Sequence, residues 1–438
     1  MLRIFLCLIG LFLFLPLSHG QNWTIELDSA LRRLDRDGFF DGQVLIAEEG
    51  EIRYAKSFGT TKQDEEIKGK TPLKVYSVGK SFTAVAILQL LERGKLSLSD
   101  PLTKYFPDLP YEEVTIDHLL HMTSGLPRLL ALALNERDTT QILTNKDILD
   151  LMEAFRPEAA TPGQSFRYNN TNYILLASIV ERVSGQAFAT YLKEHIFDPA
   201  GMYNSYESVP AIFSSLRKKG VNADNFFQGS GAGTVFTTAY DLYQYDQALY
   251  TERLLSEWSK AILFGLPDLP KGNESNYACG WRVEESAQGT VYYHVGDGRS
   301  MRASIQRFVD ARKTLIYLHP NSNAYHEEVY KVVRNIWEGK AYELPEARVY
   351  YKVDPALYQK YIGSYESKFG TIHISTENGK LFLRPDAIPG KEELLPASDT
   401  TFYFRDQNLE WEFFLNDAGE VVGFGIQGDR ENMGTPKK

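Results

Sequence analysis

The chain has 438 residues, 43% hydrophobic and 24% charged, with a net charge of −10. These are ordinary proportions for a globular protein, and the length accommodates one large domain and one smaller one. An acidic balance with no long basic run excludes nucleic acid as the main partner, since phosphate binding needs clustered Lys and Arg.

Residues 1–20 hold the one long apolar stretch, Leu2 to Gly20, with a single Arg3 before a short apolar core and then Pro16 and small residues. This is the pattern of a secretory signal peptide cleaved near Gly20, and the apolar core is short for a membrane span. The mature chain is then expected to have no transmembrane span and to be exported, to a periplasm or outside the cell. Cys7 lies inside the apolar core, leaving Cys279 alone in the mature chain, so no intramolecular disulfide is expected. No His or Cys cluster has metal-ligand spacing, and the sequence calls for no metal or cofactor.

Gly42–Gly50 and Ile52–Gly59 read as a β-hairpin joined at Glu49-Gly50. A helix follows, with Phe82, Val85, Ala86, Gln89 and Leu90 at helical spacing and Gly94 as its stop. Ser77 and Lys80 stand at its start, three residues apart, so one helical turn brings their side chains together. A serine hydroxyl becomes a nucleophile when a neighbouring base takes its proton, and a buried lysine can be neutral enough to do so. The spacing alone is not specific: Ser215 and Lys218 repeat it, but beside Arg217 and Lys219, in a charged turn.

Helical segments with Gly and Pro loops continue to about residue 265, among them 173–184, ending at Gly185, and 238–250, opening with the capping pattern Thr238-Ala-Tyr-Asp241. Strand-like runs return over 280–318, and a helix near 327–337 closes the unit. Strands from both ends with helices between them predict an α+β fold: one antiparallel sheet flanked by helices, with a helical subdomain. Linker-like Glu343-Leu-Pro-Glu346 precedes alternating segments with turn signals, expected to form a small C-terminal antiparallel β-barrel or half-barrel. The expected division is 1–20 leader, 21–340 main domain and 341–438 β-meander.

Two further motifs follow Ser77 and Lys80 in order. Phe166-Arg-Tyr-Asn-Asn170 contains the one Tyr-x-Asn of the chain, Tyr168 and Asn170, and His294-Val-Gly296 ends a predicted strand just before Asp297. As an ordered set these resemble the serine β-lactamase and penicillin-binding protein superfamily, in particular its class C-like branch with the related esterases and D-amino-peptide hydrolases. Leu91–Pro101, Thr115–Pro127, Ile196–Met202 and Gly229–Thr238 are similar to that branch as well. The likeness covers about residues 25 to 340, and the meander resembles the lipocalin-like domain often appended to such proteins.

The resemblance implies that Ser77 attacks a carbonyl, that Lys80 and Tyr168 share proton transfer, and that Asn170 orients substrate and lysine. It implies that His294 stands where penicillin-binding enzymes carry lysine and many esterase-like members carry histidine. A histidine ordinarily titrates in the neutral range, so activity is expected to rise through that range if His294 must be neutral to hydrogen-bond substrate or Tyr168. The resemblance places Gly296 and Asp297 at the substrate strand, with the backbone N–H groups of Ser77 and Asp297 as the oxyanion hole. Val295 replaces the usual hydroxyl or small residue and removes a donor to a substrate carboxylate; Asp297 and Ser300 also depart from the pattern, with Arg299 and Arg302 close by in sequence. The expected reaction is hydrolysis of an ester or amide in a small molecule or peptide. A true β-lactamase or D-alanyl-D-alanine carboxypeptidase is one alternative, and a weakly active binding protein is another. The partner of the C-terminal domain is not legible.

Overall fold

The computed structural model describes residues 22–61, 64–129, 144–207, 229–298, 301–320, 325–346, 351–367, 370–386, 391–404, 410–430 and 433–437. The expected leader, the second Ser-x-x-Lys at Ser215 and Lys218, and Arg299 and Ser300 lie outside the described residues.

Helix α1 (Asn22–Arg36) leads into a hairpin of β1 (Gly42–Glu48) and β2 (Glu51–Phe58). Its turn residues Glu49 and Gly50 have φ of 54° and 76°, the left-handed pair whose twist matches the strands. β3 (Leu73–Lys74) and a 3₁₀ turn (Tyr76–Gly79) precede α2 (Lys80–Glu92). Every residue of α2 from Lys80 to Leu90 is buried, so this helix forms the centre of the helical half. Around it lie α3 (Ile116–Leu120), α4 (Asn145–Phe155) and α5 (Asn170–Ser184), the last ended by Gly185 at φ 72°. After β4 (Tyr206–Glu207) and β5 (Val235–Thr237) come α6 (Ala239–Ala248), whose N-cap Thr238 accepts from the Asp241 N–H, and α7 (Glu257–Leu263). The unit closes with β6 (Arg282–Ser286), β7 (Gly289–Gly298), β8 (Met301–Phe308), β9 (Lys313–His319) and α8 (His326–Trp337).

The strands form the expected antiparallel sheet, in the order β2-β1-β9-β8-β7-β6, while β3, β5 and β4 make a small second sheet. The two ends of the unit meet where β1 pairs β9, Gln43 opposite Leu318. Both faces of the large sheet are covered, which is why β1 reads as a continuous apolar run. Leu45 and Ala47 face the helical half, whereas Val44 and Ile46 face α1 and α8, packing with Leu31, Leu34, Val333 and Ile336. Asp246 of α6 is locked to the sheet by the buried Arg307, whose Nε donates at 2.5 Å, and by the Thr314 hydroxyl at 2.6 Å. The Arg307 guanidinium lies over the rings of Tyr250 and Phe264.

The C-terminal strands β10 (Gly363–Ser367), β11 (Gly370–Glu377), β12 (Lys380–Pro385), β13 (Glu392–Pro396), β14 (Thr401–Tyr403), β15 (Glu410–Leu415), β16 (Val421–Ile426) and β17 (Thr435–Pro436) form one antiparallel sheet. Its order runs β16-β15-β14-β13-β12-β11-β10-β17. The barrel nearly closes where Phe424 exchanges backbone hydrogen bonds with Gly434, just before β17. Aromatic side chains fill its interior: Tyr361 stacks on Phe413 at 4.0 Å, and Phe402 and Phe424 pack against the same ring. No helix among the described residues is long and apolar enough to cross a membrane.

Candidate active site

Ser77 lies on the 3₁₀ turn rather than on α2 itself, which starts at Lys80. The difference comes from Tyr76, whose φ of 45° is strained for a residue with a side chain and breaks the helix before it reaches Ser77. Two close backbone approaches hold that turn. A Cβ on Gly296 would stand 2.1 Å from the Val75 carbonyl oxygen, and one on Gly233 would meet Tyr76 backbone atoms at 3.1–3.3 Å. Gly296 is thus required where β7 passes the nucleophile turn.

The Lys80 side chain is fully buried, with Nζ donating to Ser77 Oγ at 2.9 Å and to the Ala232 carbonyl at 2.6 Å. Burial pulls its pKa down to about 7, so a neutral amine is available near neutral pH. The carbonyl comes from the loop 229–234, which is pressed into the helical half: a Cβ on Gly231 would lie 2.4 Å from the Tyr173 carbonyl oxygen.

Tyr168 precedes α5 and is placed by the loop at Met122–Pro127. The Arg167 N–H donates to the Met122 carbonyl, Asn169 caps α5 and donates to Leu126 O, and Ser124 bonds Asn172. The Tyr168 ring lies 5.0 Å from Lys80 Nζ. Its hydroxyl is enclosed and makes no well-formed hydrogen bond, although Ser77 is near enough to act on it. Burial pushes its pKa up to about 12, with Ser77 and the Arg282 guanidinium pulling it down and Asp297 pushing it up. Asn170 opens α5, and its Oδ1 is buried without a partner; the contact expected from it to Lys80 is not made, and Ala232 holds the lysine instead.

His294 departs from expectation. It is 2% exposed, with Nδ1 2.8 Å from the Val295 carbonyl and Nε2 3.3 Å from the Tyr277 hydroxyl. Nδ1–H therefore donates to the carbonyl and Nε2 accepts from Tyr277, which fixes a neutral ring. Burial first, and then the Lys80 charge, drive its pKa down to about 3, so it does not titrate in the neutral range. Its ring packs beside Tyr168 with centroids 6.2 Å apart and does not bond the Tyr168 hydroxyl.

Asp297 is exposed, 3.9 Å from Arg302, which is itself held at 2.5 Å by Glu327. On the other side, the Arg282 guanidinium stands 5.8 Å from the Tyr168 ring and 5.9 Å from Tyr277, with no carboxylate in ion-pair range among the described residues. Arg282, Tyr277 and the Ala232 carbonyl are not signalled by any local spacing, because each joins the site only through the fold. Strand β6 begins at Arg282 rather than Gly280, because Gly280, at φ 77°, turns away to pack on the Lys80 backbone.

A sheet backed by a helical half, with Ser-Lys at a helix start and Tyr and His-x-Gly elements converging on it, defines a family of serine hydrolases. The Beta-lactamase family pattern matches residues 27–336, and the chain belongs to that family. A domain of unknown function (DUF3471) matches residues 347–436. Penicillin-binding protein 4* of Bacillus subtilis is 34% identical over 431 residues, covering 91% of this chain and 95% of that protein. The octameric penicillin-binding protein homologue from Pyrococcus abyssi superposes with a TM-score of 0.60 at 22% identity, over 94% of this chain and 99% of the other. D-amino acid amidase from Ochrobactrum anthropi gives 0.58 at 21% identity, over 72% and 99%. The two structural likenesses concern the fold.

Proposed function

We propose that the protein is an exported serine hydrolase that cleaves an ester or amide bond through an acyl-enzyme on Ser77. The observation that carries this reading is the Lys80 amine, buried with no counter-ion among the described residues and 2.9 Å from Ser77 Oγ. Neutral Lys80 takes the Ser77 proton as Oγ attacks the carbonyl carbon. The backbone N–H groups of Ser77 and Asp297 receive the developing oxyanion. Tyr168, protonated at neutral pH, passes a proton to the leaving oxygen or nitrogen and is reloaded from Lys80. Water then repeats the sequence to release the acid. Asn170, with its unpartnered amide oxygen, and the edge of β7 at Gly296 bind substrate. Export is supported by the apolar N-terminal stretch after Arg3.

The test is labelling with a serine-directed fluorophosphonate followed by peptide mass spectrometry. Label on Ser77 and none on Ser215 is the expected result; a folded protein that takes no label would favour the binding-protein reading.

A second reading, a β-lactamase or D-peptide carboxypeptidase, is favoured by Arg282. Its guanidinium over Tyr168, with no carboxylate in ion-pair range among the described residues, offers a substrate carboxylate the partner that Val295 denies it. Under this reading Arg282→Gln lowers turnover of a chromogenic cephalosporin and spares a neutral aryl ester.

A further inference from the structure

Glu207 on β4 is 4% exposed, and its Oε2 has no hydrogen-bond partner. Its other oxygen accepts from the Thr234 hydroxyl, and the Ser230 side chain is near enough to favour the charged carboxylate. Both residues belong to the loop 229–234. The same loop presents the Gly231 carbonyl to the Thr83 hydroxyl at 2.8 Å and the Ala232 carbonyl to Lys80 at 2.6 Å. It continues into β5, whose Val235 carbonyl accepts from the Val75 N–H at 3.0 Å, one residue before the strained Tyr76. A buried carboxylate is costly and demands a compensating reason.

We propose that Glu207 is a positioning residue of the hydrolytic site: through Thr234 and Ser230 its carboxylate fixes the loop that holds the Lys80 amine against Ser77. The inference rests on the acyl-enzyme reading of Ser77 and Lys80. The Thr234 hydroxyl donates to the carboxylate and the Ser230 side chain favours its charge, an arrangement that suits the ionised form and that protonation weakens. The groups facing Glu207 are those hydroxyls from the loop, Lys74 from β3 and Glu181 from α5. Burial pushes the Glu207 pKa up to about 7, against the pull of Thr234, Ser230 and Lys74. Ionisation of Glu207 and deprotonation of Lys80 then fall in the same pH range, and both favour activity as pH rises. The acid side of the rate profile therefore carries two protons rather than one.

The test is the rate of Ser77 labelling by a fluorophosphonate, followed from acid to alkaline pH in the full chain. The wild-type acid limb is expected to be steeper than a single ionisation allows. Glu207→Gln keeps an acceptor for Thr234 but cannot titrate, and its limb should relax to one proton with the alkaline plateau retained. Glu207→Ala removes the anchor, and its plateau should fall, by up to about 10²-fold for a displacement near 1 Å. Circular dichroism on both variants separates this loss from unfolding. A one-proton wild-type limb unchanged in Glu207→Gln overturns the proposal, as does a full plateau rate in Glu207→Ala. Absence of Ser77 labelling at every pH overturns the functional reading itself, and the Glu207 inference with it.

Discussion

At the scale of single residues, the site depends on one group kept in an unfavourable place. Lys80 binds a proton less readily in the folded protein than in the unfolded chain, from 10.5 down to about 7. A lowered base pKa costs stability: the cost is absent above the unfolded value, grows as pH falls, and is complete below about 7. Lys80→Met is therefore expected to remove the lysine's proton from the acid limb, lower acylation by about 10²- to 10⁴-fold, and stabilise the fold at neutral pH by on the order of 2 kcal/mol. Urea denaturation at neutral pH and near pH 10.5 checks the sign, since the gain should vanish at the higher pH. His294→Gln should leave the limb in place, because His294 titrates near 3; a shifted limb would return the proton to the histidine. Ser77 and Lys80 were legible in the sequence because three residues of helix suffice to join them. Ala232, Tyr277, Arg282 and Glu207 were not, because each lies more than a hundred residues from Ser77 along the chain. The neutral state of His294 was likewise illegible: burial and a carbonyl from its own neighbour set it, and neither leaves a mark in the motif.

Among elements, those whose ends carry turn chemistry were placed well from sequence. Glu49-Gly50 made the hairpin, Gly185 ended α5, and Thr238 capped α6. The spacing predicts a helical turn from Ser77 to Lys80, whereas Tyr76–Gly79 forms a 3₁₀ turn, since the left-handed Tyr76 is imposed by the neighbouring loop and by β7 rather than by its own propensity. How α6 docks on the sheet was also hidden, because nothing in the spacing of Asp246 and Arg307 marks them as a buried pair. Asp246→Ala leaves the Arg307 guanidinium buried without its counter-charge and should cost about 3–5 kcal/mol in denaturant unfolding. Adding Arg307→Met to that variant should recover most of the loss; a single variant as stable as the wild type would show that the pair holds nothing together.

At the scale of the whole molecule, the hydrophobic packing of the described residues falls into three clusters, two on the faces of the large sheet and one inside the barrel. Tyr342 and Leu344 pack on the cluster beneath α1, so we propose that the main domain extends to Glu346. A chain truncated after Glu346 is expected to fold and to label at Ser77 at a rate within about twofold of the full chain. One truncated earlier, after Lys340, should be less stable by about 1–2 kcal/mol for the two lost apolar contacts. If the longer truncation folds by circular dichroism yet fails to label, the barrel completes the site.

Cys279 gives this architecture a clock. The thiol is completely enclosed, 3.5 Å from His121 Nε2, and sits between Tyr277, which fixes the His294 ring, and Gly280, which abuts the Lys80 backbone. An alkylating reagent in solution reacts only during the moments when this stretch swings outward. The reaction rate, divided by that of an exposed thiol, therefore gives the equilibrium constant for opening. An acyl group or phosphonate on Ser77 that braces the pocket wall would register as a slower alkylation. The breathing of the catalytic wall can thus be timed without watching a single substrate turn over.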